Sequence, residues 1–373
     1  MAEKTLGENI KKLGFGLMRL PEKDGEIDVE LVKKMVDLFI ARGFTYFDTA
    51  YVYNNGGSEL AAKAALVERY PRESFQLADK LPMGVVQTEE DLPKAFQTSL
   101  ERTGAGYFDF YLLHALGAES AAKADRLGCW AFIQEMKAKG LIRHIGFSFH
   151  DKADVLDDIL TRHPEVEFVQ LQINYYDWDS ENVQSRLCYE VARKHGKYVT
   201  IMEPVKGGAL ATEEANVTKL FRDADPNASN ASWAVRFAAS LDGVIVALSG
   251  MSNLEQVEDN TGYMENFKPL TDAEREIVFK AADILKSIPG IPCTSCRYCV
   301  DGCPMEIGIP RIIAVYNDYL RYGILPVAQR SYAFATGRGA KASACIECRA
   351  CEGTCPQHIE ITDVLKKAVE LFE

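Results

Sequence analysis

Two cysteine arrays near the C-terminus and four polar residues nearer the N-terminus carry most of the legible chemistry. Cys293, Cys296, Cys299 and Cys303 precede Pro304, while Cys345, Cys348, Cys351 and Cys355 precede Pro356, so C-x2-C-x2-C-x3-C-P occurs twice. Thiolates at these spacings ligate iron–sulfur clusters. Zinc also accepts four thiolates, but two matching triplets-plus-one, each closed by proline, fit iron–sulfur better. The other group starts in Gly43-Phe44-Thr45-Tyr46-Phe47-Asp48-Thr49-Ala50-Tyr51-Val52-Tyr53, an apolar strand that breaks into a polar loop where an acid and a phenol appear. An acid at a strand end is ordinary turn chemistry. It becomes a candidate for proton transfer when Lys80 and His114 also end apolar runs.

The elements that must position these groups alternate. Short apolar runs at 13–18, 44–49, 75–81, 108–113, 142–148, 168–174, 198–203 and 243–249 are separated by stretches of helical period near 28–42, 57–70, 89–103, 119–139, 151–161, 180–196, 228–241 and 253–261. Asp28, Thr88 with Asp91, Asp151, Ser180 and Asn227 or Ser229 supply N-caps. Continuous apolar strands joined by helices imply a parallel sheet covered on both faces. Eight such units in about 260 residues predict an α/β fold, a (β/α)8 TIM barrel. Gly14-Phe15-Gly16 could instead belong to a hairpin closing the barrel bottom. A dinucleotide-binding Rossmann sheet is disfavoured, because Arg19 stands where G-x-G-x-x-G needs its third glycine. Polar residues recur at the strand ends where barrel enzymes place their sites: Asp48, Asp79-Lys80, His114, Ser148 to His150, Gln170 to Asn174, Glu203 and Ser249-Gly250.

A chain of 373 residues exceeds what one core usually organises, and Ile288-Pro289-Gly290-Ile291-Pro292 marks the expected boundary between residues 1–287 and 288–373. The net charge of -12, with scattered basic residues, argues against nucleic acid or an anionic membrane as partner. No apolar run is long enough to span a bilayer, and Met-Ala-Glu-Lys-Thr-Leu-Gly lacks the apolar stretch of a signal peptide. The expected location is the cytoplasm, where clustered thiols hold metal rather than disulfides. Cys129 and Cys188, isolated in sequence, are expected to be small buried residues.

The segments "FTYFDTAYVYNNGGSE", "LADKL", "YLLH", "IRHIGFS", "VQLQIN" and "VALSGMSNLEQVEDN" resemble the aldo/keto reductase superfamily over roughly residues 10–285. The resemblance implies a catalytic tetrad at Asp48, Tyr53, Lys80 and His114 and an extended nicotinamide dinucleotide, NADP or NAD, across the barrel mouth. Reduction of a carbonyl builds charge on oxygen, so a proton donor must stand there. Tyrosine, with a pKa near ~10, is a reluctant acid. Lys80 beside it is expected to favour the phenolate, with Asp48 holding the ammonium. Tyr53 is the acid–base, and His114 orients the carbonyl oxygen. By position, Ser148 and Gln170 match residues that hold the carboxamide. Gly250 and Ser252, at a helix start, match the phosphate site. Lys206-Gly207-Gly208 form the loop expected to cover the pyrophosphate, and Glu203 is a further expected cofactor contact. Two departures leave nucleotide preference open: Met202 precedes Glu203 where an aromatic often stacks, and Gln256, with Asn260 near the adenine, stands where a cation often meets a 2′-phosphate.

The C-terminal region resembles the bacterial ferredoxins, and the resemblance implies Cys293, Cys296, Cys299 and Cys355 on one 4Fe-4S cluster and Cys345, Cys348, Cys351 and Cys303 on a second. Its 41 residues between motifs, 304–344, exceed a compact two-cluster ferredoxin, and Ile312 to Leu320 reads as a helix, so the resemblance is to mainly helical ferredoxins, closed by a helix from Ile361 to Phe372. Clusters move single electrons whereas the tetrad suits a hydride, and a flavin to mediate has no motif here. The expected function is nicotinamide-dependent carbonyl/alcohol interconversion on a small molecule, with clusters relaying electrons to or from a redox partner protein. The alternatives are a reductase whose clusters are structural or redox-sensing, and an electron-transfer or sensing subunit whose barrel binds cofactor without carbonyl turnover. Trp178 and Tyr175-Tyr176 are candidates for a substrate-pocket wall.

Overall fold

The computed structural model describes residues 6–211, 214–288, 290–322, 325–337 and 339–373. The opening Met1 to Thr5 and Pro289 of the expected boundary lie outside the described residues. The strands are β1 (Leu13–Gly16), β2 (Glu22–Lys23), β3 (Glu26–Ile27), β4 (Tyr46–Asp48), β5 (Gln76–Leu81), β6 (Phe108–Leu116), β7 (Ile142–Phe149), β8 (Phe168–Gln172), β9 (Tyr198–Met202) and β10 (Val244–Ser249). All but β2 and β3 pair in parallel into a closed barrel, β1-β10-β9-β8-β7-β6-β5-β4. β2 and β3 form a separate antiparallel hairpin, so Gly14-Phe15-Gly16 is barrel strand.

The alternation of side chains along each strand explains both layers of the barrel. Tyr46, Ala78, Phe110, Leu112, Phe168, Ile245, Val246 and Leu248 form their own buried cluster. Tyr46 and Phe168 each pack on Phe110, with ring centroids 5.0 and 5.2 Å away. The same parity carries Asp48, Lys80, His114 and Gln170 to the lumen, one step nearer the strands' C-terminal ends. Side chains of opposite parity, Phe15 and Phe47 among them, pack outward with Phe39 of the helix Val29–Ala41. Asp28 caps that helix, accepting from Leu31 N, and Ser229 likewise caps Asn230–Ala239. The helix expected over 119–139 is two, Ala118–Arg126 and Cys129–Ala138, because Gly128 between them is left-handed at φ 65°. Helices Ala215–Ala224 and Asp272–Ser287 were not anticipated.

Beyond the barrel the chain is helical, chiefly Ile309–Tyr322, Leu325–Thr336 and Ile361–Phe372. A second core joins Ile307, Ile312, Ile313 and Leu365 to Cys299, Cys351 and Cys355. Phe372, in the closing helix, is surrounded by Tyr316, Tyr319 and Tyr332 at 6.2, 5.9 and 5.4 Å. This region lies against the barrel mouth. Arg19 Nη2 donates to Thr294 O at 3.1 Å, and Lys206 Nζ to Gln357 Oε1 at 2.8 Å. No helix among the described residues is long and apolar enough to cross a membrane.

Candidate active site and cysteine pockets

Asp48, Tyr53, Lys80 and His114 meet at one end of the barrel. The register pairs Gly16 with Asp48, Asp48 with Ala78 and Lys80 with Leu112, which levels these strand ends. Lys80 is 0% exposed, and its ammonium donates to Asp48 Oδ1 at 2.6 Å and Thr49 O at 2.7 Å. Gln170 Nε2 donates to the other Asp48 oxygen at 3.0 Å. Gln170 therefore supports the acid directly. Lys80 Nζ stands 4.8 Å from the centre of the Tyr53 ring, and His114 meets that ring edge-on at 5.7 Å.

The electrostatics differ from expectation. Burial pushes the Tyr53 phenol well above the ordinary tyrosine range, and the charge of Asp48 adds to the shift. The opposing influence comes from Tyr298, a residue of the cysteine region. Two of the three Lys80 protons go to Asp48 and Thr49, and the ammonium stands over the Tyr53 ring. Burial, then the Lys80 charge, pushes His114 well below the usual imidazole range, leaving a neutral ring suited to hydrogen bonding. Next to Lys80, Asp79 is also 0% exposed; burial, then Glu59, raises its carboxyl well above the usual range. Asp79 Oδ2 and Glu59 Oε1 are both buried acceptors without a donor, a need that one shared proton meets.

A cavity of about 310 Å³ opens beside Asp48 and Tyr53 and runs past Met202, Glu203, Gly250, Ser252, Gln256 and Asn260, with Cys296, Tyr298 and Gln357 on its outer wall. Ser148 does not line it, and its hydroxyl oxygen accepts from Ala115 N at 2.7 Å. Ser252 Oγ donates to Arg19 O at 2.7 Å, and Asn260 Nδ2 to Ser249 Oγ at 2.8 Å. Glu203 adopts φ 58°, and burial raises its carboxyl against the pull of Arg19, whose Nη2 is 3.3 Å from Oε1. Lys206 is placed differently from expectation. It is buried, bonded to both Asp177 oxygens at 2.8 Å as well as to Gln357, and does not line the cavity. Gly207 is needed for close approach: at φ +65°, an added Cβ would stand 2.2 Å from Thr294 O. Trp178 and Tyr175 are packing residues against Phe237.

The cysteines gather in the crossed arrangement. Cys293, Cys296, Cys299 and Cys355 line one small pocket with Ile313, Ile359 and Ile361; Cys303, Cys345, Cys348 and Cys351 line another with Ile307, Ile309 and Leu365. Four thiols around an apolar hollow are a donor set that fits an iron–sulfur cluster. Among the described residues, no three such ligands close together as a single ion requires. Cys348 of the second set is exposed, whereas Cys296 of the first lies at the barrel mouth. Cys129 and Cys188 are buried thiols of the barrel.

The aldo/keto reductase family pattern matches residues 12–283. The chain belongs to the aldo/keto reductase family. A 4Fe-4S dicluster domain matches residues 292–360. Similar proteins include a probable aldo-keto reductase of Glycine max, 28% identical over 203 residues, 50% of this chain and 55% of the soybean protein. An uncharacterized oxidoreductase of Schizosaccharomyces pombe is 26% identical over 270 residues, 67% of this chain and 80% of its own. The NADH-specific methylglyoxal reductase of Escherichia coli is 25% identical over 230 residues, 55% of this chain and 67% of its own. The holo form of an aldo-keto reductase from Bacillus halodurans superposes with TM-score 0.56 at 23% identity, covering 72% of this chain and 91% of that one. A Klebsiella pneumoniae aldo-keto reductase in complex with NADPH gives 0.59 at 18% identity, covering 76% and 94%. At these identities the superpositions bear on fold.

The barrel mouth offers donors suited to an anion such as a phosphate group. Gly250 and Ser252 precede the helix Leu254–Glu265, capped by Asn253, whose first amides and dipole favour phosphate. Glu203 Oε2 is a buried atom without a partner on the same wall. Sequence reasoning missed Arg19, which spans the mouth from Glu203 to Thr294, and Tyr298. A signal for Tyr298 existed in its place between Cys296 and Cys299, where the second motif carries Ala350.

Proposed function

We propose that the protein interconverts a small carbonyl compound and its alcohol with NAD(P), Tyr53 serving as acid–base, and that two 4Fe-4S clusters connect this site to a redox partner protein. The observation that carries the reading is the shared cavity: Tyr53 and Asp48 line it together with Cys296, a member of the first cysteine set. A bound nicotinamide would supply the hydride, with both electrons the carbonyl needs, and bound clusters would serve separate one-electron exchange with the partner. Tyr53 holds the proton at Oη and delivers it to the oxygen that becomes the alcohol; in the reverse direction it takes the proton back. The neutral His114 ring orients that oxygen. Lys80, fixed by Asp48 and Thr49, keeps a positive charge beneath the Tyr53 ring, and Gln170 keeps Asp48 in place. Gly250, Ser252, Gln256 and Asn260 would hold the dinucleotide. The first cysteine set, at the mouth, stands between the barrel and the second set, whose exposed Cys348 faces the partner. The reducing cytoplasm suits ten unpaired thiols.

The test uses protein purified without oxygen, with iron and sulfide assayed. Methylglyoxal, named for the Escherichia coli relative, is one probe carbonyl. NADH and NADPH are supplied separately while carbonyl loss and cluster absorbance are followed. Turnover that Tyr53→Phe abolishes, with cluster reduction by nucleotide, is the expected result. Carbonyl turnover unchanged in Tyr53→Phe refutes the acid–base assignment, and clusters that stay oxidised while nucleotide binds refute the relay.

A further inference from the structure

A dinucleotide brings negative charge on its pyrophosphate, and the lysine expected to meet it is spent elsewhere. Lys206 is buried, its ammonium taken by both Asp177 oxygens and by Gln357. Lys80 donates to Asp48 and Thr49. Neither lysine lines the cavity beside Asp48 and Tyr53. Among the described residues that do, Arg19 is the one with a permanent positive charge. His150 also lines the cavity, but burial pushes its imidazole down to about 4, so that ring is neutral at neutral pH. The carboxyls on the wall are Asp48, which Lys80 holds, and Glu203, which Arg19 meets at 3.3 Å.

Arg19 is held in this position from several sides. It closes the short turn Leu17–Arg19 that follows β1, and Ser252 Oγ donates to its carbonyl oxygen at 2.7 Å. Its stem lies over Gly250, where an added Cβ would stand 3.4 Å from Arg19 Cδ. From there the guanidinium crosses the mouth, Nη2 donating to Thr294 O at 3.1 Å and to Glu203 Oε1 at 3.3 Å. The second of these is long for a guanidinium, whose bonds to anionic oxygen close to about 2.7–2.9 Å. Nε and Nη1 donate to no described residue. The side chain is 30% exposed and on the cavity wall, so an anion in the cavity reaches it.

We propose that Arg19 binds the pyrophosphate of the nicotinamide dinucleotide through its uncommitted N–H donors while Nη2 keeps the Thr294 carbonyl, so that nucleotide binding and the seating of the cysteine region on the barrel reinforce each other. This rests on the nicotinamide reading of the site. Strand order decides which part of the nucleotide meets Arg19. β1 pairs on one side with β4, which ends at Asp48, and on the other with β10, which leads to Gly250. The residue that follows β1 therefore stands between the reacting end and the helix start, where the middle of a dinucleotide, its pyrophosphate, must pass. A guanidinium presents a planar fork of donors that matches phosphate oxygens. Bound phosphate fixes the side chain and so lowers the ordering cost of its bond to Thr294, which lies between Cys293 and Cys296. The seated cysteine region in turn holds the guanidinium ready for phosphate, and linkage makes the two effects equal in size.

The experiment compares cluster-loaded wild type, Arg19→Gln and Arg19→Lys, prepared without oxygen, with iron, sulfide and far-ultraviolet ellipticity measured for each. NAD+ and NADP+ are titrated separately by calorimetry, and iron release to a chelator is timed with and without saturating nucleotide. Arg19→Gln should weaken binding by about 10- to 100-fold, the worth of a charge-assisted hydrogen bond, and equally for both nucleotides, because both carry the pyrophosphate. Arg19→Lys, which keeps the charge without the fork, should recover part of that loss. Nucleotide should slow iron release from wild type severalfold and leave that from Arg19→Gln unchanged. An Arg19→Gln protein whose affinities stay within about twofold of wild type overturns the proposal. A loss confined to NADP+ puts the guanidinium on the 2′-phosphate and overturns the pyrophosphate assignment. Iron release from wild type that ignores nucleotide overturns the coupling. If wild type binds neither nucleotide, it is the nicotinamide reading that has failed, and the role of Arg19 with it.

Discussion

Replacing Lys80 by methionine removes a fully buried cation from beneath the site. Its ammonium lies 2.6 Å from Asp48 Oδ1, so at an effective dielectric near 20 the direct attraction is about 6 kcal/mol. Part of that is offset by the cost of burying both groups. Deleting one partner of such a pair typically loses about 3–5 kcal/mol, because the other charge stays buried. Asp48 would retain only the amide of Gln170. For a domain of this size that loss lowers the unfolding midpoint by roughly 6–12 °C. Asp48→Asn alone should cost a comparable amount, since Lys80 would keep only amide and carbonyl oxygens as acceptors. The double variant Asp48→Asn/Lys80→Met carries no buried charge at this point, and its cost should fall short of the sum of the single costs by about 2 kcal/mol. The assay is thermal unfolding of cluster-loaded protein, without oxygen, followed by far-ultraviolet ellipticity, with iron measured in each variant. Single costs that add to the double cost within about 0.5 kcal/mol would refute the pairing as an energetic unit.

The Asp79–Glu59 pair makes stability depend on pH in the direction opposite to most carboxylates. Asp79 is raised by burial and by Glu59, so the unfolded chain gives up this proton first. Its contribution is present below the ordinary aspartate range and is lost as pH rises toward the folded value. Asp79→Asn, which keeps the protonated shape, should flatten denaturant midpoints measured above pH 4; an unchanged slope would show that no proton is shared. At the interface, Gly207→Ala should cost about 1–2 kcal/mol for left-handed backbone and also push Thr294 away, since the new Cβ falls 2.2 Å from its carbonyl oxygen. Gly208→Ala, at φ +99° with nothing within 4 Å, carries the backbone cost alone. Faster proteolysis near 288–296 and faster iron loss to a chelator are expected for the first variant only. Equal behaviour of the two would mean that the contact does not hold the regions together.

The eight barrel strands were legible because parallel strands buried on both faces read as unbroken apolar runs, with helical period between them. The tetrad positions were legible for a related reason: Asp48, Lys80 and His114 end such runs, and parity turns all three inward. What escaped notice depends on approach between distant segments. Lys206 sits in a loop that invites phosphate, yet Asp177 and Gln357, 29 and 151 residues away in sequence, claim its ammonium. Gly207 reads as a bend, but its missing side chain makes way for Thr294. Arg19 entered the sequence reading only as a residue that breaks a glycine pattern, because nothing local shows that its side chain crosses the mouth. The break at Gly128 is a third case, where a helical period continues through a residue whose backbone does not.

The crossed cysteine sets also bear on how the polypeptide is made. The first pocket draws three thiols from 293–299 and its fourth from Cys355, so it stays open until the ribosome has added 56 residues beyond Cys299. At ~5–20 residues per second that interval is about 3–11 s. During it the barrel, whose last strand ends at Ser249, has every segment needed to close. Its mouth therefore waits uncapped, with Tyr298 unanchored, until the C-terminal segment emerges. Completion of the mouth thus waits for Cys355, and a transcript truncated before it would yield a folded barrel with an unfinished mouth.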